Sequence, residues 1–211
     1  SLKIHVYFAF ILFKIVLGEK IMVLIPNIIE KSISGEKIYD IYTKLLSSRI
    51  IFLNGEIDDN MAGLIISELL YLDSLNHEDI FIYISSPGGS VTSGMSIFDT
   101  MNYVKSDVST VACGMCASMA AIILANGAKG KRLILPNSEV MIHQVLGGTQ
   151  GQATEIKIQA ERILNLKKKL NGILANLTGQ SIKKIDNDTE RDHYLSSSEA
   201  LEYGIVDKVL N

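Results

Sequence analysis

From Arg49 onward, the sequence alternates between short apolar runs rich in β-formers and segments with helical spacing of apolar residues. The runs predict strands at residues 49–53, 80–84, 108–113, 131–135 and 140–143. Between the runs, apolar residues recur every three or four positions, which is typical of helices. Two such sets are Met61, Ile65, Leu69, Leu72 and Val91, Met95, Phe98, Met101. This alternation predicts an α/β domain built on a largely parallel sheet.

The composition excludes several classes of protein. Of the 211 residues, 47% are hydrophobic and 20% are charged, which suits one folded domain with a sizeable core. The formal net charge is −3, so no nucleic-acid partner is expected. The two cysteines, Cys113 and Cys116, cannot build a disulfide framework. A reducing compartment is therefore predicted, either the cytoplasm or an organelle stroma or matrix.

The N-terminal segment differs in composition from the rest of the chain. Residues 6–17 are apolar apart from Lys14. As a helix they would span about 18 Å, well short of the bilayer core of about 30 Å, so no stable membrane anchor is expected. We interpret residues 1–21 as an apolar extension, which could be a signal-like segment, a removed propeptide, an upstream extension or a packed terminal segment. Residues 22–211 are predicted to form a single domain.

A long helix is predicted in the last third of the chain. Gly147, Gly148 and Gly151 bracket a polar loop, and residues 152–177 then carry apolar residues at helical spacing. This helix would be about 39 Å long, more than the core of such a domain needs. We therefore predict that it packs against another subunit; the alternative is a helix lying across its own sheet. Gly179 is expected to end the helix as a C-cap.

Ser118 is the candidate nucleophile. It lies where the predicted strand at 108–113 turns through Gly114 into an Ala-rich helix starting near Met119. Such a turn would expose the hydroxyl and direct the Met119 amide at a developing oxyanion. The alternative is that Ser118 is only the N-cap of that helix. The glycine loop at residues 85–90 could supply a second amide donor, at Gly89.

The two cysteines have Cys-x-x-Cys spacing, which occurs in redox pairs and in zinc sites. A redox pair would need a depressed thiol pKa, and zinc would need a second pair of ligands, which the sequence lacks. We therefore interpret Cys113 and Cys116 as unpaired thiols and expect no metal.

Four short motifs follow one another in a specific order. They are Ser-Pro-Gly-Gly at 86–89, Ala-Ser-Met at 117–119, Met-Ile-His-Gln at 141–144 and Arg-Asp at 191–192. In order and spacing the chain resembles the proteolytic subunits of ATP-dependent Clp proteases, the ClpP family, from about Met22 to Val209. The resemblance implies a catalytic triad of Ser118, His143 and Asp192, with oxyanion donors at the Gly89 and Met119 amides. His193, the competing base, directly follows Asp192 and is interpreted as a surface or rim residue.

The resemblance also implies a fold and an assembly. The fold would be the ClpP/crotonase-like α/β fold, with a protruding handle formed by the long helix and a glycine-rich strand. Two heptameric rings would stack through these handles around a chamber that receives unfolded proteins, and an AAA+ unfoldase would use the ATP, so no cofactor is expected in this subunit. The strand at Gly147, Gly148 and Gly151 would hold the substrate backbone. The implied ring contacts are Gln152, Glu155, Glu190 and Arg191, and the implied unfoldase pocket is Leu69, Phe81, Tyr83, Tyr103, Cys113 and Leu135.

The sequence departs from the usual pattern of that family at four positions near the motifs, namely Met115, Cys116, Ala120 and Val145. None of them removes a predicted catalytic group, but they bear on the shape of the substrate pocket. Two other functions stay open. One is a catalytically silent or weakly active ring subunit that works with an active paralogue. The other is a crotonase-type acyl-CoA enzyme, which would have no use for the serine, histidine and aspartate.

Overall fold

The computed structural model describes residues 25–32 and 35–210, which fall into two compact units divided after Ile50. The first unit holds an antiparallel hairpin of β1 (Asn27–Ser32) and β2 (Gly35–Asp40), followed by α1 (Ile41–Leu46). The sequence patterns predicted none of these elements. The predicted extension at 1–21 lies outside the described residues, and the single domain over 22–211 stays a prediction. No helix within the described ranges is long and apolar enough to cross a membrane.

The second unit alternates strands and helices, as the sequence predicted. Its strands are β3 (Ile50–Asn54), β4 (Ile80–Ser86), β5 (Val108–Ala117), β6 (Arg132–Ile134), β7 (Glu139–Ile142), β8 (His193–Ser196) and β9 (Lys208–Val209). Its helices are α2 (Asp59–Leu75), α3 (Val91–Tyr103), α4 (Met119–Ala125), α5 (Ala153–Thr178), α6 (Ile182–Asp188) and α7 (Ser197–Tyr203). The elements β8, α6, α7 and β9 had no predicted counterpart.

The strands of the second unit form a seven-stranded sheet in which β3, β4, β5, β6 and β9 are consecutive neighbours. The pairs β4–β5, β5–β6, β5–β7 and β6–β9 are parallel, and the pair β7–β8 is antiparallel. The α/β fold with a largely parallel sheet is therefore confirmed. The arrangement places the carboxyl ends of several strands at one edge of the sheet.

The strand β5 has two halves with different neighbours. Its first half pairs with β6, from Thr110 to Ala112, and its second half pairs with β7, from Met115 to Ala117. Between the halves, the register against β4 shifts by two residues, and Gly114 adopts a φ of 87°. This β-bulge redirects the strand and carries its carboxyl end, just before Ser118, towards β7.

The buried faces of the sheet and of the helices packed on it form the core. On β4, Ile80, Ile82 and Ile84 are fully buried, while Phe81 and Tyr83 on the opposite face are half-buried. The helix α3 that the spacing of Val91, Met95, Phe98 and Met101 predicted is confirmed, and its buried residues are Ser93, Gly94, Ile97 and Met101. Gly94 allows α3 to pack closely on α4, because a Cβ at position 94 would collide with the Met119 side chain.

The long helix α5 agrees with its prediction to within one residue, and Gly179 ends it in the left-handed conformation. Its buried residues, Leu170, Asn171 and Leu174, all lie in the second half. In the first half, Ile156, Ile158 and Leu164 are 42%, 56% and 64% exposed, so this half does not lie across the chain's own sheet. The glycine-rich strand before it is not formed, because residues 143–152 pair with no described strand.

Candidate active site

The topology of the sheet brings four loop segments together. Because β4, β5 and β7 are parallel neighbours, their carboxyl ends meet at one edge. The Pro87–Gly89 loop follows β4, Ser118 follows β5 and His143 follows β7. The antiparallel strand β8 pairs His193 with Ile142, so Asp192, directly before β8, comes beside His143. Residues up to 105 positions apart in sequence, from 87 to 192, thus share one site.

The three predicted triad residues lie within hydrogen-bond reach of one another. His143 Nε2 is 2.8 Å from Ser118 Oγ, and His143 Nδ1 is 3.2 Å from Asp192 Oδ1. The His143 side chain is 13% exposed and that of Asp192 is 56% exposed. A carboxylate only accepts hydrogen bonds, so Nδ1 carries the proton that Asp192 accepts. Nε2 is then free to accept the proton of the Ser118 hydroxyl.

Ser118 has a backbone conformation that is rare for a residue with a side chain. Its φ is 56° and its ψ is −120°, and its N–H donates to Met141 O at 2.8 Å. It occupies the N-cap position of α4, but its hydroxyl makes no capping hydrogen bond. The interpretation of Ser118 as a mere helix cap is therefore wrong, since the hydroxyl is directed at His143 instead. Strained backbone of this kind persists only where the surrounding structure enforces it.

The glycine loop packs directly on the Ser118 turn. A Cβ at Gly88 would lie 2.7 Å from Ala117 O and 2.8 Å from Ser118 Cβ, and one at Gly89 would overlap the Ile57 backbone. Both glycines also have positive φ, so side chains are disfavoured here on two grounds. Ile57 clamps the loop, donating to Gly88 O at 2.9 Å and accepting from the N–H of the residue after Gly89 at 2.8 Å.

Two backbone donors next to Ser118 remain available. Met119 is the first residue of α4, so its N–H has no acceptor within the helix. The Gly89 N–H donates to no group in the described part of the chain. Both residues line the same cleft as Ser118 and His143. The structure therefore places two unused N–H groups beside the candidate nucleophile.

The Clp protease family model matches residues 33–211 of this sequence. The chain belongs to the Clp protease family. The match spans the glycine loop, the Ser118 turn, His143 and Asp192, and it agrees with the α/β fold of the structure. The activity of this family is peptide-bond hydrolysis. The arrangement of Ser118, His143 and Asp192 is the one that serine peptidases use.

A cleft of about 210 Å³ lies beside Ser118 in this Clp family chain. Its walls are mostly apolar, formed by Pro87, Met119, Ile122, Ile142, Leu170 and Leu174. Two buried polar residues, Asn171 and Thr189, also line it. Sequence reasoning did not single out either of them. For Asn171, the sequence did carry a signal of a functional position, because an amide stands next to Leu170 on the apolar face of the predicted long helix.

The segment that carries Asp192 is held by contacts from α5 and from the loop after β7. Lys167 Nζ lies 2.9 Å from Glu190 Oε2, and this hydrogen bond holds the pKa of Glu190 below its usual range. Gln144 Nε2 donates to Glu190 O at 3.0 Å, and Arg191 Nη1 donates to the same oxygen at 3.1 Å. Within one chain, then, Glu190 and Arg191 support the position of Asp192.

The other predicted ring-contact residues have a local role in the chain. The Gln152 N–H donates to Glu155 Oε2 at 3.2 Å, in a capping box that starts α5. Both residues are exposed. The contact of Gln152, Glu155, Glu190 and Arg191 with a second ring stays a prediction.

Most of the predicted unfoldase-docking residues reach the surface of the chain. Tyr83 is half-buried and stacks on Phe52, with ring centroids 5.8 Å apart, and Phe81 and Cys113 are also half-buried. Tyr103 is 80% exposed and Leu135 is 37% exposed. The prediction for Leu69 needs correction, because this residue is fully buried on the inner face of α2. Leu69 therefore does not line the surface of a single chain.

Cys113 and Cys116 are unpaired thiols, as predicted. Burial raises the pKa of both, most strongly that of Cys116. Both sulfur atoms lie near the carbonyl oxygen of Ile84, at 3.5 Å and 3.3 Å. These thiols stay protonated at neutral pH, which does not suit a reactive redox pair. Among residues 25–32 and 35–210, no group of three or more His, Cys, Asp or Glu residues could hold a metal ion.

Proposed function

We propose that this chain is a serine endopeptidase, the proteolytic subunit of an ATP-dependent Clp protease. It hydrolyses peptide bonds of unfolded proteins through an acyl-enzyme, inside a chamber enclosed by two stacked rings. The observation that carries this proposal is the position of His143 between two partners. Its Nε2 lies 2.8 Å from Ser118 Oγ, and its Nδ1 lies 3.2 Å from Asp192 Oδ1.

The proposed reaction follows from these two hydrogen bonds. His143 Nε2 takes the hydroxyl proton as Ser118 Oγ attacks the scissile carbonyl carbon. Asp192 holds the proton on Nδ1 and stabilises the imidazolium that forms. When the tetrahedral intermediate collapses, the imidazolium gives its Nε2 proton to the leaving amine. Water then attacks the acyl-enzyme with the same assistance from His143, which releases the new carboxyl terminus and restores Ser118.

The Gly89 and Met119 N–H groups form the oxyanion hole in this proposal. Both residues line the cleft beside Ser118, and neither N–H donates a hydrogen bond to another group of the described chain. The tetrahedral intermediate places a full negative charge on the former carbonyl oxygen. Preorganised donors of this kind are worth about 10²–10³-fold each in kcat.

The glycine-rich segment after His143 binds the substrate backbone as an added strand. Gly147, Gly148 and Gly151 are exposed and pair with no described strand, so their backbone groups are available to an extended peptide. Pairing with a substrate would form the strand that the chain by itself lacks.

The exposed apolar face of the first half of α5 supports assembly. Ile156, Ile158 and Leu164 give this half a surface that a neighbouring subunit would cover. The proposed assembly is two heptameric rings stacked through the handles, with Gln152, Glu155, Glu190 and Arg191 at the contact between rings. The unpaired thiols Cys113 and Cys116 suit a reducing compartment such as the cytoplasm.

A separate AAA+ unfoldase uses ATP and docks on the surface around Tyr83, so this subunit needs no cofactor. Tyr83→Ala should leave cleavage of short peptides nearly unchanged, because short peptides reach the chamber by diffusion. Degradation of a folded substrate by the complex with the unfoldase should fall severely. Leu70→Ala, an exposed apolar truncation outside the predicted docking set, is the matched control. Equal loss of both activities would show a folding defect, and loss of neither would remove Tyr83 from the docking surface.

The test of the proposed chemistry is labelling with a fluorophosphonate, combined with a peptide hydrolysis assay of the purified protein. Mass spectrometry should place the phosphonyl group on Ser118, and peptides should be cleaved. A crotonase-type acyl-CoA enzyme would give no label at Ser118. If Ser118 is labelled but peptides are cleaved only after a paralogous ring subunit is added, the chain is the weakly active subunit described above.

A further inference from the structure

Asn171 is a buried amide in the mostly apolar wall of the cleft, next to Thr189, the other buried polar residue there. It is 4% exposed, and it lies on α5 between the buried Leu170 and Leu174. Its Nδ2 donates to Asp186 Oδ1 at 2.7 Å and to Thr189 Oγ1 at 3.2 Å. Both donors of the amide are therefore used on the side that faces α6.

These contacts fix the orientation of the amide. The Asp186 carboxylate only accepts, and the Thr189 hydroxyl already donates its proton to Ile185 O at 2.7 Å, so it accepts as well. A flipped amide would point its oxygen at two acceptors and lose both hydrogen bonds. Asn171 Oδ1 consequently points away from α6.

The Oδ1 atom has no donor partner among the described residues, although nearly all of its residue is buried. Every fully buried side-chain nitrogen or oxygen of the described chain has a hydrogen-bond partner. Because Oδ1 has none, it must keep some accessible surface. Asn171 lines the cleft beside Ser118, so that surface opens into the cleft.

We propose that Asn171 determines specificity at the position just before the scissile bond, P1. Its Oδ1 accepts a hydrogen bond from a neutral donor at the end of the P1 side chain, as in glutamine. The apolar walls, including Ile122 and Ile142, contact the methylene groups of that side chain. A P1 lysine is disfavoured, because its ammonium would be buried in the cleft without a facing carboxylate. This inference rests on the proposed peptidase function.

The experiment compares two peptides that differ only at P1, one with glutamine and one with methionine, which has a similar shape and no donor. The readout is the ratio of kcat/KM for the two peptides, measured with the wild type and with Asn171→Leu. Asn171→Leu should lower the glutamine-to-methionine ratio about tenfold, since the buried P1 amide then loses its acceptor. A loss of overall activity in the variant does not affect the ratio.

Thr189→Val is the matched control, because it removes one acceptor of the Asn171 amide and keeps Oδ1. It should leave the ratio unchanged even if it lowers both rates. An unchanged ratio in Asn171→Leu, with both peptides still cleaved, would overturn the P1 assignment and leave the peptidase function standing. If the wild type cleaves neither peptide and Ser118 takes no phosphonyl label, the proposed function itself is wrong.

Discussion

Ser118→Ala should abolish the acyl-enzyme and lower kcat for peptide hydrolysis by about 10⁴-fold or more, while the protein folds normally. The reason is that the other groups at the site act through the Ser118 hydroxyl, which accepts the acyl group and gives its proton to His143. Single-turnover assays with an activated ester would detect the loss of the acyl-enzyme directly. Peptide hydrolysis by Ser118→Ala at the wild-type rate would contradict the assignment of Ser118 as the nucleophile.

The matched comparison is between the two neighbouring histidines of the site region. His143→Ala should be as inactive as Ser118→Ala, and the double variant should be no worse, because the two side chains act as one unit. His193→Ala should keep most of the activity. His193 starts β8, and its ring lies near that of Tyr203, with centroids 6.2 Å apart. Strong loss in His193→Ala together with an active His143→Ala would reverse the assignment of the base.

The resemblance to ClpP supplied the roles of the triad residues, while the apolar pattern marked the strands that carry Ser118 and His143 to the site. The run ending at His143 gave the end of β7 to within one residue, and the run ending at Cys113 located β5 but not its end; parallel strands put their carboxyl ends at one edge. Asp192 was different, since β8 carries too few residues to show a period. Its place in the site came only from the resemblance to ClpP.

Other features escaped the sequence patterns for physical reasons. The predicted strand at 108–113 stopped at Cys113, but β5 continues to Ala117, because a β-bulge at Gly114 lets it exchange β6 for β7. Apolar periodicity cannot show a change of partner. The close approach of α3 to α4 at Gly94 also escaped the pattern, because apolar periodicity gives a glycine no weight.

The predicted glycine-rich strand is not formed within the described chain, for a related reason. Periodicity and composition describe one chain, whereas a strand exists only when another strand satisfies its backbone groups. Residues 147–151 have no such partner in the described chain. The same limit applies to the exposed half of α5, whose stripe predicted a helix correctly but did not specify what covers it.

Arg132 joins more elements than any sequence pattern indicated. Its Nε and Nη2 donate to the two oxygens of Asp207 at 2.9 Å and 2.6 Å. Its Nη1 donates to Leu177 O and Gly204 O at 3.0 Å and 2.9 Å, and more weakly to Ala125 O at 3.4 Å. These carbonyls lie at the C-terminal ends of α5, α7 and α4, where the helix dipoles favour a cation.

Arg132→Met should therefore lower the free energy of unfolding by about 3 kcal/mol or more. The Arg132 and Asp207 side chains are only 10% and 19% exposed, so the variant leaves a carboxylate poorly solvated and three helix-end carbonyls short of a donor. The measurement is urea unfolding followed by circular dichroism at a fixed protein concentration. Lys131→Met is the control, since Lys131 pairs with Asp79 and Asp107 at the surface and should matter much less.

The pH dependence separates this ion pair from simple loss of packing. In the wild type, burial raises the pKa of Asp207, but the hydrogen bonds and charge of Arg132 outweigh burial and hold the pKa below its usual value. The pair thus stabilises the fold above the unfolded-state pKa of Asp, about 3.9, and its contribution is lost as the pH falls through the lower folded-state pKa. Without Arg132, burial raises the Asp207 pKa, so protonation relieves the variant. The stability deficit of Arg132→Met should shrink as the pH falls from 7 towards 4, and a deficit that stays constant would assign the loss to packing alone.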